Sequence, residues 1–185
     1  MTEISHLSTD ELNKGMDNIR AASAERGTLE MIVRRPAVDE REVLDEAELD
    51  LGEGVVGDNW NQRPSSRTDD GSPHPDMQLN IMNARAIGLI AGSRDRWSLA
   101  GDQLYLDFDI SETNLPAGTR LSIGEAVIEV TDQPHRGCPK FKARFGIDAL
   151  RWVNSSEGME LKLRGINAKV VSPGAIKHGD TVSKL

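Results

Sequence analysis

Only one cysteine, Cys138, occurs among the 185 residues of the chain. A single thiol cannot form an internal disulfide, a dithiol pair or a four-cysteine zinc or iron-sulfur site, which agrees with a reducing compartment. The N-terminal residues include acids where a signal peptide carries lysines, and they lack an apolar core. We therefore expect a cytoplasmic protein whose cysteine chemistry depends on one sulfur atom.

Aromatic residues, long apolar runs and net positive charge are also scarce. Aromatics make up 4% of the chain. The longest apolar stretches, such as 86–91, are far shorter than the roughly 20 residues needed to cross a bilayer. Thirty acidic against 22 basic side chains give a formal charge of -8, which repels nucleic-acid phosphates and anionic lipids. The sequence therefore predicts no membrane span and no nucleic-acid partner.

Short alternating segments separated by turn signals dominate the chain. They predict a mostly β fold with a few helices, closed or nearly closed into a β-barrel, because closure removes exposed strand edges. In residues 1–27, a capping box at Ser8 and Glu11 predicts an N-terminal helix packed on the domain. Residues 28–185 are expected to form a single domain, in which the polar stretch 59–76 is predicted to be a mobile loop.

Three later segments surround the cysteine in the sequence. Residues 119–131 alternate around a two-residue turn at 124–125, which predicts a hairpin whose exit leads to Cys138. Residues 148–153 indicate a helical turn. Residues 159–171 predict a long strand, bent at a glycine.

The segment 133–142 carries the candidate chemistry. It places His135, Arg136 and Lys140 within a few positions of Cys138. Nearby positive charge favours the thiolate form of a cysteine, which is the nucleophile and the soft-metal ligand. Cys138 is therefore the candidate catalytic residue and metal ligand. The alternative is a small buried apolar residue among solvated loop cations.

Several short motifs follow one another in a fixed order along the chain. They are Gly57-Asp58, Gln78-Leu79, Asp109–Gly118, Arg120–Gly124, Gly137-Cys138, Lys140-Phe141, Leu163–Gly165 and Gly179-Asp180. This ordered set resembles the MOSC domain family, named for the C-terminal part of molybdenum cofactor sulfurases. The likeness is strongest over about residues 95–185, and it also suggests a stand-alone protein of bacterial type.

The resemblance implies a MOSC-type barrel and the molybdenum cofactor (molybdopterin). In the family, the cysteine corresponding to Cys138 carries sulfur or ligates molybdenum through its thiolate. Where relatives have basic residues before an asparagine at the cofactor pocket, this chain has Glu112, whose charge would repel a cofactor phosphate. The candidate cofactor-binding residues are Asn114, Arg120, His135, Arg136, Lys140 and Arg164.

Three functions follow from this resemblance and stay open. The first is a molybdenum-cofactor-binding oxidoreductase that reduces N-hydroxylated compounds, with a small-molecule substrate and electrons from a redox partner. The second is a sulfur carrier that receives a persulfide on Cys138 from a sulfur-donor protein. The third is a non-catalytic binding module.

Overall fold

The computed structural model describes residues 5–185, and residues 1–4 of the predicted N-terminal segment lie outside the described part. Two short helices, α1 (Thr9–Lys14) and α2 (Met16–Arg20), begin this part. Both bonds of the capping box at Ser8 are present. The segment differs from one continuous helix because the Gly15 N–H closes α1 by bonding to carbonyls of its last turn.

Eleven strands follow in the described part of the chain. Seven of them close into a barrel in the order β1, β11, β7, β8, β9, β5, β6, with β2 added to β1 outside the ring. The strands are β1 (Arg26–Arg34), β2 (Glu42–Leu44), β3 (Glu46–Asp50), β4 (Gly54–Val55), β5 (Leu79–Asn83), β6 (Leu104–Asp107), β7 (Arg120–Ile123), β8 (Ala126–Val130), β9 (Ile166–Ser172), β10 (Gly174–Lys177) and β11 (Thr181–Lys184).

The barrel is of mixed type. Strands β5 and β6 are parallel, whereas the other barrel pairs are antiparallel. A separate small sheet has the order β10, β3, β4. The expected mostly β fold with a closed barrel and a few helices is therefore confirmed.

Three helices and three 3₁₀-helices interrupt the strands. They are α3 (Ala84–Ala91), α4 (Pro139–Val153), α5 (Ser156–Glu160) and the 3₁₀-helices Trp60–Gln62, Pro75–Met77 and Arg94–Ala100. Two of the 3₁₀-helices fall at the ends of the stretch 59–76 that the sequence predicts to be a loop. None of the described helices is both long and apolar enough to cross a membrane.

Alternation along the strands separates two apolar cores. In β1, Leu29 and Ile32 point into the barrel, on either side of a bulge, while Met31 and Val33 belong to a second core. That second core also contains Phe141 and other apolar residues of the helices. Because both faces of these strands are buried, the helices are fixed against the barrel wall.

The hairpin of β7 and β8 is confirmed, since Ile123 pairs with Ala126 across the predicted two-residue turn. The long strand predicted for 159–171 is wrong: α5 occupies its first residues, and β9 begins only at Ile166. The reason is local, because the Ser155 side chain accepts a hydrogen bond from the Gly158 N–H and caps α5. The helical turn predicted for 148–153 is the end of α4.

Candidate functional site

The irregular segment 131–138 joins β8 to α4, and side-chain amides hold it at two points. Asn167 Nδ2 donates to the Gln133 carbonyl at 3.0 Å. Asn154 bonds to both backbone groups of Gly137, at 2.9 and 3.1 Å. The segment is thereby fixed with the His135 ring turned inward and Cys138 exposed.

Below this segment lies the histidine cluster, formed by His135, Asp102 and Arg164. Asp102 is fully buried, and its two carboxylate oxygens contact His135 Nε2 at 2.8 Å and Arg164 Nη1 at 2.7 Å. Arg164 Nη2 also donates to the Ala100 carbonyl at 2.9 Å. Its guanidinium lies over the Phe141 ring, 5.0 Å from the ring centroid. The cluster therefore joins the Gly101–β6 region, the 131–138 segment and the start of β9.

The ionisation states follow from burial and neighbouring charge. Burial opposes the charge of Asp102, but Arg164 and His135 outweigh it and hold the pKa of Asp102 below its ordinary value. Burial and the charge of Arg164 together lower the pKa of His135, against the opposite influence of Asp102. At neutral pH the cluster is therefore an ion pair of Asp102 and Arg164 with a neutral imidazole.

The tautomer of His135 follows from its partner. An ionised carboxylate only accepts hydrogen bonds, so Nε2 of His135 carries the proton that Asp102 binds, and Nδ1 keeps its lone pair. A neutral imidazole oriented by a carboxylate is a group that can accept a proton. His135 is thus a candidate general base for a reactant in the cavities that it lines.

Two cavities share His135 and Lys162 in their walls. The first, of about 90 Å³, is also lined by Arg136 and Asn154, and the second, of about 130 Å³, by Glu112. Lys162 Nζ lies 2.6 Å from Glu112 Oε2. The acid that the sequence places before Asn114 is therefore paired with a cation.

Cys138 is the N-cap residue of α4, and its side chain is exposed. Its carbonyl accepts from the Lys142 N–H at 3.0 Å, whereas its sulfur makes no capping hydrogen bond. Lys140 is also exposed in the first turn of the helix. Cys138 lines neither cavity of the histidine cluster. The thiol is thus presented to the outside of the protein.

Two other predicted residues lie elsewhere. Asn114 Nδ2 donates to the carbonyls of Ala24 and Asp109, and its Oδ1 accepts from Lys184. Arg120, more than half exposed on β7, pairs with Glu129 at 2.9 Å. The structure therefore brings His135, Arg136 and Arg164 together, and Asn114 and Arg120 line neither cavity beside them.

Two buried acids are absent from the sequence-based predictions of site residues. One is Asp102, and the other is Asp58, whose carboxylate accepts five hydrogen bonds, three of them from Arg35. Asp58 belongs to the Gly57-Asp58 motif of the resemblance, which is the one signal that could have revealed it. Asp102 and Lys162 have no such signal, because their partners are distant in the sequence.

These observations define a β-barrel domain that exposes one thiol beside a buried His-Asp-Arg cluster. The family described as MOSC domain matches residues 76–183, more than half of the chain, and the chain belongs to this family. The resemblance seen in the sequence is thereby confirmed. Among curated proteins, nothing matches.

Solved structures with the same fold include two bacterial proteins. The YuaD protein from Bacillus subtilis is 19% identical, with a TM-score of 0.59, over 85% of this chain and 94% of that chain. YiiM from Escherichia coli is 20% identical, with a TM-score of 0.55, over 86% of this chain and 69% of that chain. At these identities the likeness supports the fold alone.

The fold family raises the question of whether the site fits a molybdenum cofactor. The cations at the histidine cluster suit an anionic group, but its two cavities are far smaller than the roughly 300 Å³ that pockets for compact organic ligands start from. Cys138 lies outside both. Within residues 5–185, no group of three or more His, Cys, Asp and Glu side chains is arranged to hold a metal ion. The two cavities beside the 131–138 segment are therefore too small to enclose a pterin cofactor.

Proposed function

We propose that this MOSC-domain protein is a sulfur carrier that holds a persulfide on Cys138. One observation carries the proposal: the only thiol of the chain is exposed at the start of α4. A carrier must meet a donor and then an acceptor, so its sulfur has to be reachable by both. A thiol on the surface can be reached by both proteins more easily than a thiol inside an enclosed pocket.

The transfer balances without an added oxidant or reductant. The Cys138 thiolate attacks the outer sulfur of a donor persulfide, a new S–S bond forms at Cys138, and the S–S bond of the donor breaks. The donor leaves as a thiolate and takes up a proton from solvent. A nucleophilic acceptor then attacks the outer sulfur on Cys138, the new S–S bond breaks, and Cys138 returns as a thiolate.

The charges around the cysteine support this chemistry. Arg136 lines the cavity beside the 131–138 segment, and no acid occurs in the first turn of α4. An anionic persulfide donor therefore meets no carboxylate in the turn of the helix that follows Cys138. A sulfur-donor protein and a cytoplasmic location are parts of the same proposal.

The first test is persulfide loading of the protein, measured by intact mass. Incubation with a low-molecular-weight persulfide should add the mass of one sulfur atom to the wild type and nothing to Cys138→Ala. Alkylation with iodoacetamide beforehand should abolish the addition. A wild type that is alkylated readily but never gains sulfur would overturn the proposal.

The molybdenum-dependent reductase is the second candidate, and one observation favours it. Lys162 neutralises Glu112, so the charge that would have opposed a cofactor phosphate is compensated. Protein produced in a molybdenum-replete host and assayed by metal mass spectrometry tests this candidate. Stoichiometric molybdenum that is lost in Cys138→Ala would support it, and a metal-free wild type would exclude it.

The third candidate, a non-catalytic binding module, would be favoured by a buried, inert cysteine. The exposure of Cys138 speaks against that expectation.

A further inference from the structure

Three exposed cations, Arg136, Lys140 and Lys142, flank Cys138 in the sequence; we call them the basic rim. They lie in residues 133–147, a run that contains no Asp or Glu although the chain has 30 acidic residues. None of the three takes part in an ion pair within residues 5–185. The basic rim is therefore a patch of unpaired positive charge on an acidic protein.

Several exposed cations elsewhere on the protein have an acidic partner. Arg20, Arg120 and Lys177 each lie beside a glutamate. In a chain of formal charge -8, acids are available to pair with surface cations, but the acid-free run keeps them away from the basic rim. The charge of the basic rim is therefore available to a group outside this chain.

The backbone that carries the basic rim is fixed on both sides of Cys138. Before the cysteine, the Asn154 side chain bonds to both backbone groups of Gly137, at 2.9 and 3.1 Å. After it, the Lys142 N–H donates to the Cys138 carbonyl at 3.0 Å. Phe141 anchors the same turn in the second apolar core. A partner can therefore dock on this surface with little ordering of the backbone, which lowers the entropic cost of binding.

This fixation depends on a reversal within α4. Asn154 is the C-cap of this 15-residue helix, whereas Gly137 lies just before its N-cap. A straight helix of this length would hold its ends about 22 Å apart. The non-helical backbone at Gly146, with a φ of 90°, turns the second half of the helix back toward the first. The two ends of α4 thus meet beside the thiol, and the basic rim has a compact support.

We propose that the basic rim is the docking surface for the sulfur-donor protein, and that this donor presents acidic side chains around its persulfide. The inference rests on the proposed sulfur transfer at Cys138 and adds the chemistry of the partner's surface. Opposite charges steer two proteins into encounter and fix their relative orientation. Because the chain as a whole is acidic and repels an acidic partner, the basic rim directs the acidic face of the donor toward the thiol.

Sulfur loading from charged peptides tests the proposal. The probes are synthetic peptides of equal length in which one cysteine persulfide lies between glutamates, glutamines or lysines, and each rate is divided by the rate of the same peptide with 2-mercaptoethanol. At an ionic strength of about 0.01 M, the corrected rate for the wild type should be about tenfold higher with the glutamate peptide than with the lysine peptide. At about 1 M salt the difference should vanish. The formal charge of -8 alone would favour the lysine peptide, so the sign of the preference is decisive.

Matched charge reversals separate the basic rim from the overall charge. Lys142→Glu should abolish the preference for the glutamate peptide. Lys177→Glu makes the same change on β10, which bonds to the turn of the β7–β8 hairpin at the opposite end of β8 from the segment 131–138, and should keep the wild-type preference. Alkylation with neutral iodoacetamide reports whether the thiol stays accessible, and circular dichroism identifies a variant that does not fold. Arg136→Gln, outside the helix, replaces Lys142→Glu in that case.

The outcomes distinguish failure of docking from failure of sulfur transfer. Equal corrected rates for the three peptides, a preference for the lysine peptide, or an unchanged preference in Lys142→Glu would overturn the docking surface and leave sulfur transfer intact. No loading from any peptide would overturn sulfur transfer and the docking surface together. Stronger inhibition of loading by a single-stranded oligonucleotide than by a cysteine-free glutamate peptide of equal charge would overturn the assignment of a protein partner.

Discussion

The histidine cluster and the three arginines that converge on Gly101 (Arg35, Arg41 and Arg144, here the Gly101 arginines) are built from similar side chains but differ in their charge balance. In the histidine cluster, the single carboxylate of Asp102 serves one guanidinium and one neutral imidazole, while Nε of Arg164 is buried without a hydrogen-bond partner within residues 5–185. Among the Gly101 arginines, three guanidinium groups meet two carboxylates, those of Asp58 and Asp39. The comparison teaches that one buried carboxylate compensates its cation, whereas the Gly101 arginines keep uncompensated positive charge, so the two groups should respond differently when a charge is removed.

Removing the central charge of the histidine cluster should have the largest effect. Asp102→Asn leaves Arg164 buried without its counter-charge, and we expect the free energy of unfolding to fall by about 3–5 kcal/mol. Urea unfolding at pH 7 measures the change. Asp132→Asn, an exposed acid in the same loop region, should unfold like the wild type. If the free energy of unfolding fell no further in Asp102→Asn than in this control, the account would be contradicted.

The two regions should respond differently to the same substitution of an arginine. Arg164→Gln leaves the Asp102 carboxylate buried and unpaired with a cation, so a loss of about 3–5 kcal/mol is expected. Arg41→Gln relieves repulsion and should leave the free energy of unfolding unchanged or slightly raised. Urea unfolding of both variants at one ionic strength tests this contrast. Equal destabilisation by the two substitutions would remove the distinction between the regions.

The imidazole of the histidine cluster should make stability depend on pH. The pKa of His135 is lower in the folded state, so the unfolded chain binds this proton at a higher pH than the folded chain does. Stability should therefore decline as the pH falls below about 6.5, with a slope of up to about 1.4 kcal/mol per pH unit until His135 is protonated in the folded state too. Above that pH, His135 adds no pH dependence.

His135→Gln should flatten this dependence. A glutamine amide can still donate to Asp102 but does not titrate. The free energy of unfolding, measured at several pH values between pH 7 and pH 5, should depend less steeply on pH in the variant than in the wild type. Identical slopes would show that His135 is not held neutral. A depressed pKa for Asp102 contributes only at much lower pH, since its stabilisation is lost as the pH falls through the folded-state value.

The smallest effect is expected at the cysteine. Cys138 is exposed and its sulfur makes no capping bond, so Cys138→Ala should change the free energy of unfolding by less than about 0.5 kcal/mol. The same urea experiment measures it. A large loss would mean that the cysteine serves the fold, which would weaken its assignment as the reactive group.

The barrel class and the local features of the fold were predictable from the sequence, whereas individual long-range contacts were not. The hairpin of β7 and β8 and the cap at Ser8 follow from residues close together in the chain. The start of α4 directly after Cys138 was missed, because its glycines and proline resemble a loop. Pro139 lies in the first turn of α4, where the backbone N–H that proline lacks would have no partner within the helix. Gly146 allows a kink farther along the same helix.

The candidate site was predictable only in part for the same reason. The sequence indicated His135, Arg136 and Cys138 because they are neighbours in one segment. It could not show that Asp102 meets His135 and Arg164, since these residues come together only when the barrel closes. Nor could it reveal the Gly101 arginines, which come from α4 and from the connection between β1 and β2.

The most direct test of sulfur transfer is a single-turnover chase. Wild-type protein would be loaded with persulfide, freed of the donor by desalting and mixed with cyanide as the acceptor. The account predicts that the added sulfur disappears from the intact mass of the protein while an equal amount of thiocyanate forms, and that Cys138→Ala yields none. Sulfur that stays on the wild-type protein, or thiocyanate formed equally by the variant, would contradict the claim that Cys138 carries it.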